Sequence, residues 1–119
     1  MTSPPAAKSA NFRDFWPVYL QAHADPRTRA AHYCGTVLGV ALFLCFAAGG
    51  GWWALPAALV AGYGPAWLAH GFFERNKPAT FNHPLWSFAA DFRMLYCAAT
   101  GRLGAELERA GLSARRAGP

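Results

Sequence analysis

Apolar and polar positions lie along this chain in blocks. From Ala30 to Phe73 there is no Asp, Glu, Lys or Arg, while charges crowd both sides of that window. A membrane-crossing helix needs about 20 mostly apolar residues. The stretch YCGTVLGVALFLCFAAGGGWWALPAALVAGYGPAWLAHGFF supplies roughly two such lengths, split at Gly49, Gly50 and Gly51. The pattern predicts a helical hairpin of two spans. Trp52 and Trp53 follow the glycines directly, and Tyr33 opens the first span, where amphipathic aromatics favour the membrane interface. A water-soluble chain would have to cover two wholly apolar helices with segments rich in Pro, Gly and charge, which are too short for the task.

Outside the hairpin the period changes. NFRDFWPVYLQAH places Phe12, Phe15, Trp16, Tyr19 and Leu20 at helical spacing, with polar residues opposite, and predicts an interfacial helix. Pro17 falls inside this pattern and marks a kink or a helix start. A last helix is expected from Pro84, since proline is tolerated in a first turn, through LWSFAADFRMLYCAAT to Gly101, with Leu85, Phe88, Phe92, Leu95 and Tyr96 on its apolar side. RLGAELERAGLSARRAGP adds a short amphipathic turn and a frayed basic end. The expected fold is all-α: an integral membrane helical bundle, with a central two-span hairpin and flanking interfacial or partly embedded helices. It forms a single membrane domain over residues 1–119, with residues 1–10 and about 105–119 as flexible tails.

Composition changes the picture little. At 119 residues one domain is the default, and mean hydropathy is only +0.10 because the apolar block is averaged with polar ends. Some thirty residues precede the apolar block, and no small-residue cleavage pattern ends a single hydrophobic region, so a removable secretory signal is not expected. Arg27 and Arg29 precede the hairpin and Arg75 and Lys77 follow it, so the positive-inside tendency puts both of its ends, and both termini, in the cytoplasm. The net charge of +5 suits anionic headgroups. Nucleic acid is not an expected partner, because the basic residues are scattered around the hairpin and form no recognisable module. Cys34, Cys45 and Cys97 show no CxxC spacing and read as small core hydrophobes.

The chain has four histidines, His23, His32, His70 and His83. On the hairpin reading all four come to one membrane edge, and imidazole suits zinc, copper, iron and nickel. Glu74 follows His70 by four residues and shares its helix face. Asp91 lies among apolar neighbours, where an unpaired carboxylate is costly, and is expected to hold a histidine N–H or an arginine.

The stretches FWPVYLQAHADPRTRAAHYCGT and AHGFFERNKPATFNHPLWSFAADF resemble a family of small membrane proteins, long catalogued as a domain of unknown function and now typified by the yeast 2-hydroxy fatty acid dioxygenase. The similarity covers most of residues 12–96, and His23, His32, His70 and His83 fall on the family's histidine positions. The resemblance implies an integral protein of a bacterial inner membrane. It also implies an Fe(2+)-dependent α-oxidation, in which dioxygen and a 2-hydroxy fatty acid give the fatty acid one carbon shorter.

Coordination number sharpens this expectation. A substrate chelating through carboxylate and 2-hydroxyl takes two of about six positions and dioxygen a third, which leaves room for three protein ligands. His83, in a loop where movement is easy, is the histidine expected to leave the metal and act as acid or base. Asp91 and Glu74 complete the catalytic set, and Arg75 or Lys77 would draw in the carboxylate. Membrane lipid is the other expected partner. Two other readings of the same residues are a zinc hydrolase built on three histidines and a water, and a non-catalytic protein holding a metal or a haem between paired histidines.

Overall fold

The computed structural model describes residues 11–77 and 83–112, and among these residues the chain is entirely helical. Helix α1 is Phe12–Gln21, α2 Pro26–Ala47, α3 Ala54–Ala69, α4 Pro84–Ala99 and α5 Leu103–Arg109. A single π-helical turn, His70–Glu74, continues α3.

Local chemistry sets the boundaries. Asn11 caps α1 by accepting the Asp14 N–H at 2.9 Å. The helix then runs through Pro17, which is neither a start nor a stop. Asp25 caps α2, accepting the Arg27 N–H at 2.8 Å, and Pro26 occupies the first helical position, where its missing N–H costs nothing. The helix therefore begins well before Tyr33, and His32 sits on it. Gly49 and Gly51, at φ 89° and 110°, make the turn into α3 in backbone conformations that L side chains rarely adopt.

The α2–α3 hairpin packs on small residues. Gly35 and Gly39 form a GxxxG pair, and a methyl group at Gly35 would lie 2.9 Å from the Ala61 carbonyl oxygen. On α3, Ala54, Ala58, Gly62 and Ala66 recur every fourth residue, and the three alanines are buried. Large apolar side chains point the other way: Val37, Leu38, Leu44, Val60 and Leu68 are all exposed.

The second packing unit joins α1, α4 and α5. Phe15, Trp16, Tyr19 and Leu20 of α1 meet Ala90, Met94 and Cys97 of α4 and Leu107 of α5 in one buried cluster. The Trp16 indole donates to Glu106 at 2.9 Å, and the Gln21 amide to the Ala110 carbonyl at 2.8 Å.

Several expectations need correction. Among the described residues, α2 is the one helix that is by itself long and apolar enough to cross a membrane. Helix α3 by itself has 16 residues, about 24 Å, and the π turn that continues it to Glu74 brings the helical run close to the hydrocarbon core of about 30 Å. The buried face of α4 is Ser87, Ala90, Met94 and Cys97, while Leu85, Phe88, Phe92 and Tyr96 face outward. Cys97 is buried but Cys34 is exposed, because it lies on the outer face of α2. The tail expected from about residue 105 is instead helix α5 up to Arg109, with Leu107 fully buried. The expected tails at 1–10 and 113–119, and the loop 78–82, lie outside the described residues.

Candidate metal centre

Three histidines from different elements meet at the open end of the hairpin. His23 comes from the α1–α2 loop, His32 from the second turn of α2 and His70 from the first position of the π turn. Their Nε2 atoms form a near-equilateral triangle: 3.0 Å between His23 and His32, 3.3 Å between His32 and His70, and 3.1 Å between His70 and His23. All three residues are buried.

The opposite ring nitrogens decide what those Nε2 atoms carry. His23 Nδ1 lies 2.6 Å from the Tyr19 carbonyl oxygen, which can only accept, so Nδ1 holds the proton. His32 Nδ1 donates to the Asp91 carboxylate at 3.2 Å, and the same oxygen accepts the Tyr19 hydroxyl. His70 Nδ1 donates to Asn76 Oδ1 at 2.6 Å, while the Asn76 amide nitrogen donates to the Ala22 carbonyl at 3.3 Å, which fixes which end of the amide faces the ring. Every neutral ring therefore presents a bare lone pair at Nε2. Three lone pairs about 3 Å apart repel unless a cation lies among them.

A divalent metal fits that demand. Nitrogens each about 2.0–2.1 Å from one ion lie about 3.0 Å apart at a right angle and about 3.4 Å apart at the tetrahedral angle. The observed separations fall in this range. Burial, together with the neighbouring His32 and His70, holds the His23 imidazole well below its ordinary pKa, so it stays neutral and able to ligate. Each ring also has the outer partner that ligating histidines usually have: a carbonyl, a carboxylate and an amide oxygen. A haem does not fit, because no two of these nitrogens leave room for a macrocycle between them.

The chain places these partners by local means. Tyr19 lies one turn before His23 on α1 and stacks on its ring at 4.1 Å. Burial and the Asp91 carboxylate push the Tyr19 phenol above its ordinary pKa, so it remains a donor. Arg29, buried in the first turns of α2, donates to the carbonyls of His23 at 2.8 Å and Ala24 at 3.0 Å and so holds the loop that carries His23. At Arg75 the backbone enters the left-handed region (φ 54°), which ends the π turn and folds Asn76 back onto His70. π turns of this kind are frequent at functional sites.

The other expected site residues are placed differently. His83 is not in the triangle: its ring stacks on Trp86 at 4.8 Å and meets Phe15 edge-on at 5.1 Å. Glu74 accepts the Asp25 backbone N–H at 2.7 Å, tying the two ends of the hairpin together. Asp91 is where its burial demanded, on a histidine N–H. Arg75 and Lys77 are exposed and flank Asn76 in sequence. Tyr19, Arg29 and Asn76 were given no site role from sequence. The i, i+4 spacing of Tyr19 and His23, read as one continued helix, could have singled out the first. Nothing periodic announces an asparagine beyond a helix end.

The fold and site thus define a small all-helical protein built around a buried three-histidine centre able to hold a metal ion. The chain belongs to the Mpo1-like family, described as 2-hydroxy-palmitic acid dioxygenase Mpo1-like, whose profile matches residues 9–103. No curated protein and no solved structure gave a match in the corresponding searches.

Proposed function

We propose that this protein is an Fe(2+)-dependent dioxygenase of the membrane interface that converts a 2-hydroxy fatty acid to the fatty acid one carbon shorter. The observation that carries the proposal is the triangle of unprotonated Nε2 atoms on His23, His32 and His70. It would serve zinc as readily as iron, and the family description is what favours oxygen chemistry. When bound, ferrous iron would supply the binding and activation of dioxygen and of a chelating 2-hydroxy acid. The conversion balances as 2-hydroxy acid plus O2 giving the shorter acid, CO2 and water. No outside reductant is consumed, because the four electrons that reduce dioxygen come from the 2-hydroxy acid.

The remaining roles belong to the protein. His23, His32 and His70 are the proposed ligands, and Tyr19, Asp91 and Asn76 keep their rings in the tautomer that leaves Nε2 free. Arg75 and Lys77, on either side of Asn76, are the proposed cations for the substrate carboxylate. An acid or base role for His83 requires its ring to leave Trp86. Glu74 is assigned the strut between hairpin ends, not a proton transfer.

Membrane embedding of the hairpin is supported by its packing. Small residues inside and large apolar residues outside are what helices surrounded by lipid use to associate. Asp25, Ala22, Glu74 and Asn76 join the two hairpin ends, so the basic residues Arg27, Arg75 and Lys77 lie at one end, which we place in the cytoplasm. A bacterial inner membrane is the proposed location.

The test is oxygen consumption by anaerobically prepared, iron-loaded protein. Turnover is expected with 2-hydroxypalmitate and none with palmitate, which lacks the second chelating oxygen. Equal turnover of both acids, or turnover without iron, would overturn the proposal.

A further inference from the structure

We propose that the groove between α2, α3 and α4 holds the acyl tail of the substrate, and that Gly62 sets the bulk and length of tail it admits. This inference rests on the 2-hydroxy acid reading above. The groove has a volume of about 380 Å³.

Its polarity is graded along its length. Helices α2 and α3 run antiparallel, so Thr36 and Tyr63 lie toward one end, where α4 contributes Asp91, Phe88 and Phe92. These hydroxyls and the carboxylate are the polar side chains of the lining. Toward the other end the walls are Val40 and Phe43 of α2 against Leu55 and Leu59 of α3, all apolar. The polar end lies beside the metal centre: Asp91 lines the groove, and its carboxylate accepts the His32 N–H from behind the Nε2 triangle. From Gly35 to Phe43 the α2 wall advances eight residues, about 12 Å. A cleft that starts at a metal-binding cluster and becomes wholly apolar matches a molecule with a polar reacting end and a methylene tail.

Gly62 differs from Gly35 and Gly39, the α2 glycines it packs against. At Gly35 and Gly39 an added Cβ would run into the backbone of α3, at 2.9 Å and 3.2 Å. At Gly62 the nearest atom to an added Cβ is the Gly35 carbonyl oxygen at 4.0 Å, so a Cβ is accommodated there. Because Gly62 also lines the groove midway along α3, a side chain there would take up space meant for the tail.

The experiment compares Gly62→Leu with wild type on 2-hydroxyoctanoate and 2-hydroxypalmitate. The ratio of kcat/KM for the long acid to that for the short acid should fall about tenfold or more, as expected when a pocket is narrowed by a few methylenes, with bound iron near wild type. Leu59→Trp, farther along the groove, provides a second route to the same shift if Gly62→Leu folds poorly. Leu68→Phe on the outer face of α3 should change neither acid. A chain-length profile unaltered in both groove variants would overturn the proposal.

A binding arm separates this inference from the reaction. A palmitate analogue with a mid-chain diazirine should crosslink to α2 and α3 residues of the groove, displaced by 2-hydroxypalmitate and not by phosphatidylglycerol. Displacement by phospholipid alone, or equally by both, would make the groove a lipid contact and overturn the proposal. Displaceable adducts in a protein that consumes no oxygen with either acid would overturn the reaction and still support the acyl site.

Discussion

The two packing units of this molecule follow opposite rules. In the cluster of α1, α4 and α5, Phe15, Tyr19, Leu20, Met94 and Leu107 are at most 1% exposed, as large side chains are in a protein folded in water. In the α2–α3 hairpin the contact surface is Gly35, Gly39, Ala58 and Ala66, while Leu38 and Leu68 are 53% and 62% exposed. The first unit gains from removing apolar area from water. In the second that gain is small, because little large apolar surface leaves the surroundings; close backbone approach and dispersion must hold it together. The histidines lie at the seam, contributed by the loop between the units, by α2 and by the end of α3, with Asp91 reaching in from α4. The centre therefore exists only when both units are docked.

The sharpest way to break this comparison is to empty one position in each unit. Leu107→Ala removes a fully buried side chain and should cost about 2–5 kcal/mol in an unfolding titration. Leu68→Ala, on the outer face, should cost no more than about 0.5 kcal/mol in the same titration. Equal losses would mean that the hairpin packs like the rest of the protein.

A charge placed on the outer face asks what surrounds it. Leu44→Lys on the exposed side of α2 should raise the insertion free energy by up to about 3 kcal/mol, as for a lysine in the middle of a membrane helix. A change within about 0.5 kcal/mol in an insertion assay would mean that water faces Leu44.

The smallest effect belongs to the seam. Asn76→Ala removes the acceptor that orients His70 and should weaken metal affinity by about 10–100-fold, leaving the helical spectrum unchanged. Unaltered affinity would mean that the hydrogen bond does not orient the ligand.

How far the sequence could be read follows from the same contrast. The hairpin and its glycine turn were legible because the absence of charge from Ala30 to Phe73 is a strong signal, and Pro84 marked the start of α4 because proline fits a first turn. The apolar side of α4 was legible, but which side packs was not. In a water-soluble helix the large apolar stripe faces inward, but here Leu85, Phe88, Phe92 and Tyr96 face out and the small residues are buried. The start of α2 was placed late because Arg27 and Arg29 look like flanking charge. In fact Arg29 is buried and spends its donors on loop carbonyls. The convergence of His23, His32 and His70 followed from bringing hairpin ends together. The position of His83 did not, because ring stacking on Trp86 and Phe15 leaves no periodic trace.

The measurement that tests the central claim most directly is metal content after anaerobic purification, read for wild type, His32→Ala and His83→Ala. Wild type and His83→Ala should each carry close to stoichiometric iron, because His83 stands outside the Nε2 triangle, and His32→Ala should carry almost none while still inserting and folding. Full occupancy in His32→Ala, or an empty centre in His83→Ala with the three other histidines intact, would contradict a metal centre built on His23, His32 and His70.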